Sequence, residues 1–149
     1  MATRAGGTGD PSAECAFCRV VDGSAPAEVV LRAPGVVAVL DHRPLFPGHV
    51  LVVPERHRPT LADLGSAELA PFFTVVQHVV RVLPDVMDAQ GTFVATNNVV
   101  SQSVPHLHVH VVPRRRGDGL RGFFWPRQRY VDETQAREIA QRIAKALKA

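Results

Sequence analysis

His106-Leu107-His108-Val109-His110-Val111-Val112 carries the clearest pattern in the sequence. Polar and apolar residues alternate strictly, and alternation of period two marks a β-strand with one face toward a core. Leu107, Val109 and Val111 then enter the core. The three imidazoles line the opposite face about 6–7 Å apart, twice the strand rise. Packing does not explain three aligned histidines, because they add little hydrophobic gain and repel one another when charged. The pattern points to chemistry, and two kinds fit. Alternating histidines can hold a catalytic metal with open positions. They can also supply a histidine nucleophile whose neighbours bind phosphate. Spacing alone leaves both open.

Working outward, Val29–Leu31 and Val36–Leu40 are β-branched runs around Ala33-Pro34-Gly35 and read as a hairpin. A Pro/Gly loop over residues 43–48 leads to a strand from His49 to Val53, closed by Pro54. Leu69, Phe72, Phe73, Val76, Val79, Val80 and Leu83 recur at spacings of three and four, so they predict one apolar stripe on a helix that starts near Ser66 and stops before Pro84. Thr92–Thr96 and Leu107–Val112 are two further strands. A last helix begins near Asp132, with Gln135 as capping partner and Ala136, Ile139, Ala140, Ile143 and Leu147 as its buried stripe. The order β-β-β-α-β-β-α predicts an α+β fold with a mostly antiparallel sheet and two main helices.

The chain has 149 residues, room for one domain with a substantial core. Residues 1–12 are small and polar and are expected to be a disordered tail, with a single domain over 13–149. They lack the apolar middle of a secretory signal, and no run of 18 apolar residues occurs, so a cytoplasmic protein without membrane association is expected. The two cysteines, Cys15 and Cys18, are spaced C-x-x-C, which in a reducing compartment reads as a metal half-site or a redox pair. The net charge is +3, and Arg114, Arg115, Arg116, Arg121, Arg127 and Arg129 cluster. Such a cluster suits an anionic partner or a solvated basic face, and charge alone favours the solvated face.

Several separated blocks resemble, in order, those of the histidine-triad (HIT) superfamily. The stretch His106–Val112 followed by Pro113-Arg114 is similar to its signature. Ser101-Gln102-Ser103-Val104 resembles the segment before it, with Ser101 where glycine is usual. Asp41, Pro47–Pro54 and His57 resemble its second strand block, and Cys15–Val21 its entry segment. The resemblance implies a continuous ten-stranded sheet in a homodimer and a purine nucleotide-type substrate. It implies His108 as nucleophile, His110 and His49 as donors to the α-phosphate, Ser103 on the leaving-group side, and Asp41 on the ribose hydroxyls. Phe17, Val20, Val39 and Leu51 would surround the base, Asn97 or Asn98 would contact phosphate, and Gln102 would join the substrate site. Trp125 would reach the second subunit's site. Cys15, Cys18, His57 and His106 would hold a structural zinc. The implied reaction is hydrolysis or nucleotidyl transfer on a nucleoside phosphoramidate or a dinucleoside polyphosphate. A metal-dependent hydrolase is a second reading. A nucleic-acid-binding protein is a third, supported only by the arginine cluster.

Overall fold

The computed structural model describes residues 10–121 and 128–148. The order of elements is α1 (Ala16–Val21), β1 (Val29–Ala33), β2 (Val36–Leu40), β3 (Val50–Pro54), a single 3-10 turn (Leu61–Asp63), α2 (Ser66–Met87), β4 (Gly91–Ala95), β5 (Val109–Arg114) and α3 (Glu133–Leu147). The five strands form one antiparallel sheet in the order β1-β2-β3-β5-β4. The expected α+β class holds, with α1 and the 3-10 turn added to the two helices read from sequence.

Residue parity determines what each face of the sheet does. Val36, Ala38, Val50, Val52, Leu107, Val109 and Val111 point to one face, where they pack against Phe72, Val75, Val76, Val79 and Leu83 of α2. Val37, Val39, Leu51 and Val53 point to the other, where Phe17, Val20 and Val21 of α1 cover them. Both faces of the central strands are therefore buried, which is why β2 and β3 read as unbroken apolar runs. On β5 and the residues leading into it, Leu107, Val109 and Val111 take the α2 face, so His106, His108 and His110 fall on the α1 face. Regular strand geometry begins only at Val109, and the His108 and His110 ring centroids lie 5.0 Å apart, closer than two strand rises.

The expected end of α2 before Pro84 is corrected: the helix runs on to Met87 and closes at Asp88, which adopts φ +49°. Proline removes one helical hydrogen bond. Leu83 is buried and Met87 packs on the same cluster, so this last turn keeps its helical path. Of the expected apolar stripe, Leu69 and Phe73 are about two-fifths exposed, while Val75, outside it, is buried. By length and composition α2 is apolar enough to cross a membrane, and its buried side chains pack into the sheet. In the loop before β3, Gly48 adopts φ +91°, and an added Cβ would lie 2.7 Å from Met87 Cγ. Both facts require glycine there.

The chain separates into two compact units, one ending at Asp118 and the other Gly119–Ala149. In the second, Asp132 accepts the Gln135 N–H at 2.7 Å, and the Gln135 side chain accepts the Val131 N–H at 2.8 Å, as the capping pattern predicts. Its expected buried stripe is corrected: no residue of α3 is buried, and Ile143 and Leu147 are exposed. Of the expected tail, residues 1–9 lie outside the described residues. At Asp10–Ser12 the chain enters a turn, in which the Asp10 carboxylate accepts the Ser12 N–H and hydroxyl.

Candidate active site and metal cluster

Hydrogen bonds around the histidines fix where each ring proton sits, since a neutral imidazole has one donor and one acceptor nitrogen. His108 Nδ1–H donates to the His106 carbonyl at 2.7 Å, which leaves Nε2 bare. The Leu45 N–H donates to His49 Nδ1 at 3.1 Å, so His49 carries its proton on Nε2. That Nε2–H donates to His110 Nδ1 at 2.9 Å, which puts the His110 proton on Nε2. A backbone amide thus sets the tautomer of two successive rings. The result is a bare nitrogen on His108 beside an N–H donor on His110. Burial, with His108 and His49 nearby, pushes the His110 pKa down to about 4, so the ring is neutral near pH 7. Burial also lowers the His49 pKa, against the pull of Asp41.

These rings stand at a cleft with two lobes of about 370 Å3 each, which share Phe17, Val20, Asp41 and Leu51. Ser103, His108 and His110 line one lobe, and Val39 and Glu28 line the other. Asp41 is held by its N–H donating to the His49 carbonyl and by its carboxylate accepting the Arg43 N–H at 2.8 Å. The fold therefore gathers His108, His110, Ser103, Asp41, Phe17, Val20, Val39 and Leu51 at one place. His49 is placed differently from the expectation. Both its ring nitrogens are engaged, so it stands behind His110 instead of presenting a donor to phosphate.

The asparagines and Gln102 also sit elsewhere. Gln102 clamps the Pro59 carbonyl at 2.6 Å and the Val99 N–H at 2.9 Å, Asn98 accepts the Leu61 N–H, and Asn97 donates to the Ser101 carbonyl. None of the three lines the cleft. They close a loop in which Val99 (φ +70°) and Ser101 (φ +59°) are left-handed, a conformation that breaks regular pairing and leaves backbone groups needing side-chain partners. The left-handed Ser101 stands where the family resemblance expects glycine. Trp125 lies outside the described residues. Two contributors carried no signal in the sequence: the Thr96 hydroxyl donates to the His108 carbonyl at 2.7 Å, and Arg19 lines the cleft. His42, whose place beside Asp41 in the sequence allows a substrate contact, lines it too.

Beyond His106 lies a second cluster. Cys15, Cys18, His57 and His106 place one donor atom each within 4.8 Å of one another. His106 Nε2–H donates to the Pro54 carbonyl at 2.8 Å, so its bare Nδ1 faces Cys15 Sγ at 3.3 Å and Cys18 Sγ at 3.5 Å. His57 Nδ1 lies 3.4 Å from Cys18 Sγ. Sulfur and nitrogen bound to one tetrahedral zinc lie about 3.6 Å apart, given bonds of about 2.3 and 2.0–2.1 Å. The donor set fits that ion. Burial and the neighbouring Cys15 push the Cys18 thiol up to about 11, so binding a cation there would displace a proton.

A family model for the HIT domain matches residues 22–117, well over half of the chain. The chain belongs to the HIT family. This HIT protein is 38% identical over 108 residues to an uncharacterized HIT-like protein of Mycobacterium tuberculosis, covering 71% of its own length and 75% of the relative's. It is 29% identical over 121 residues to the adenosine 5'-monophosphoramidase of Candida albicans, covering 76% and 79%. It is 38% identical over 94 residues to the asymmetrical bis(5'-nucleosyl)-tetraphosphatase of Schizosaccharomyces pombe, covering 62% of itself and 52% of that protein. Among solved structures it resembles a zinc-bound histidine triad family protein from Mycobacterium smegmatis, with a TM-score of 0.69, 34% identity and coverage of 92% and 98%. HIT relatives thus include hydrolases of nucleotides, and one neighbour of this HIT protein binds zinc.

Proposed function

We propose that this protein hydrolyses or transfers the nucleotidyl group of a purine nucleotide-type substrate through a covalent intermediate on His108. The observation that carries the reading is the His108 Nδ1–H bond to the His106 carbonyl, which leaves Nε2 bare at the cleft. Nε2 attacks the α-phosphorus, and the bond from phosphorus to the leaving group breaks. Water then attacks, the P–N bond breaks and its electron pair returns to Nε2. Two smaller steps replace one difficult displacement. His110 Nε2–H donates to a phosphate oxygen as negative charge spreads over the transferring group, and because the ring is already neutral and oriented, little reorganisation is needed. Ser103 stands on the leaving-group side. Asp41 accepts the ribose hydroxyls, and Phe17, Val20, Val39 and Leu51 enclose the base. Cys15, Cys18, His57 and His106 hold a structural zinc, which crosslinks the fold and takes no part in bond making. Reduced thiols at that site fit a cytoplasmic setting.

The three triad imidazoles do not converge on one point. His106 Nδ1 faces two thiols, His108 Nδ1 a carbonyl and His110 Nδ1 another ring. This geometry favours the covalent route over a metal hydrolase with the triad as ligands. For nucleic acid, two arginines of the basic cluster have partners within the chain. Arg114 pairs with Asp118 at 2.6 Å, and Arg115 donates to the Met87 and Asp88 carbonyls.

The test is turnover of adenosine phosphoramidate, diadenosine tri- and tetraphosphate and a nucleotide sugar, with rapid-quench trapping of label on the protein. Label on wild type and none on His108→Ala is expected. An active wild type that never accumulates label, with His108→Ala keeping most of its activity, overturns the reading.

A further inference from the structure

The metal cluster and the reaction centre share structural parts. His106 belongs to both. Its ring faces the two thiols at 3.3 and 3.5 Å, while its main-chain carbonyl takes the His108 Nδ1–H at 2.7 Å. The ring is held in that orientation by Nε2–H, which donates to the Pro54 carbonyl at 2.8 Å. Helix α1 also belongs to both. Cys15 is its N-cap and Cys18 lies in its first turn. Between them Phe17 lays its ring 4.9 Å from the His108 ring and 5.8 Å from the His106 ring. Phe17 and Val20 then wall the cleft.

Helix α1 cannot hold itself. It has six residues, none buried, and no side-chain bond at its cap. A helix that short is far below the length at which isolated helices become stable. What fixes it is the contact of Phe17, Val20 and Val21 with the sheet and the attachment of its two thiols.

We infer that Cys15, Cys18 and His57 are positioning residues for the reaction: a metal ion filling their cluster with His106 ties α1 to the strand of the nucleophile, and so orders both the cleft wall and the His108 ring. This rests on the nucleotide reading above. Its consequence is a linkage between two sites, and linkage is reciprocal. The factor by which zinc tightens nucleotide binding is the factor by which nucleotide tightens zinc binding.

The experiment uses the full chain with reductant, 5'-AMP as the nucleotide and zinc as the metal. AMP affinity is measured by calorimetry on zinc-loaded and chelator-stripped protein, with circular dichroism to follow folding. Zinc affinity is measured by chelator competition with and without saturating AMP. Stripping is expected to weaken AMP binding about tenfold or more, with the same factor in the zinc measurement. Equal AMP affinity in loaded and stripped, folded protein overturns the inference and leaves the nucleotide reading intact. Failure of AMP to bind the loaded protein overturns both. Should stripping unfold the chain, folded His57→Gln, which keeps both thiols and His106 but has lost its zinc, is compared with zinc-loaded wild type, and an AMP affinity equal to that of wild type is the overturning result. Phe17→Ala distinguishes positioning from global folding. It should keep zinc stoichiometry while the linkage factor falls toward one, and a factor unchanged from wild type overturns the inference.

Discussion

At the scale of single residues, the site is a set of proton positions fixed by backbone groups. His106 offers the carbonyl that points the His108 lone pair at the cleft, and Leu45 offers the N–H that sets His49 and, through it, His110. His108→Ala should lower kcat by orders of magnitude while Kd for a substrate analogue changes little, because the lost bond exists only along the reaction path. Steady-state kinetics with calorimetric binding separates the two, and a change confined to Kd would contradict the nucleophile role. His49→Ala should lower kcat about 10–100-fold, the usual cost of losing a group that orients a ligand or catalyst from behind. Its effect should be absent from a double variant that already carries His110→Ala, since His49 acts through that ring. An additive double variant would show an independent role for His49.

Among the elements, β3, β5 and α1 meet at a point that also holds the sulfur and imidazole donors, so losing one donor is a folding defect before it is a chemical one. Protein purified without added metal should carry about one equivalent of zinc, and Cys18→Ser should lower both zinc content and Tm. Elemental analysis giving less than a tenth of an equivalent, with undiminished stability, would refute the zinc assignment. A second element-scale test lies where the 43–48 loop crosses the end of α2. Gly48→Ala should destabilise by about 1–3 kcal/mol, because it forces a side chain into a positive φ and against Met87. Urea unfolding measures it, and a neutral result would mean that the loop and the last turn of α2 separate without cost.

For the molecule as a whole, pH and self-association are the accessible readouts. The His110 pKa of about 4 lies below the unfolded value of about 6.5. Below pH 6.5 the unfolded chain binds a proton that the folded chain refuses, so stability from this group is fully present above about pH 6.5 and is lost as pH falls toward 4. The contribution is of order 3 kcal/mol. Unfolding at pH 4.5 and 7.5 should show the loss, and His110→Phe, measured under the same conditions to account for metal release, should show less of it. A second copy pairing along the edge strand β4, where Val94 is exposed, would continue the sheet to ten strands and cover its free backbone groups. Light scattering at micromolar concentration is expected to give twice the 16.2 kDa chain mass, and a clean monomer would refute it.

Features that depend on local period and residue type are legible in the amino-acid order. The alternation at 106–112 set which side chains of that stretch enter the core and which face α1, Pro34-Gly35 set the hairpin, and Asp132 with Gln135 set the start of α3. The rest depends on which distant segments meet in space. Cys15 and His106 stand 91 positions apart, and nothing in local spacing brings a sulfur within 3.3 Å of that ring. The proton on each histidine depends on backbone partners that the fold supplies, so His49 could be named as a site residue but not placed behind His110. Asn97, Asn98 and Gln102 have the amide groups of a phosphate site, yet around a loop with two left-handed residues the Asn97 and Gln102 amides donate to the Ser101 and Pro59 carbonyls, and the Asn98 side-chain oxygen accepts the Leu61 N–H. Periodicity reports only that a face is apolar, and burial needs a second surface. That is why α2 continues through Pro84, where the sheet lies beneath it.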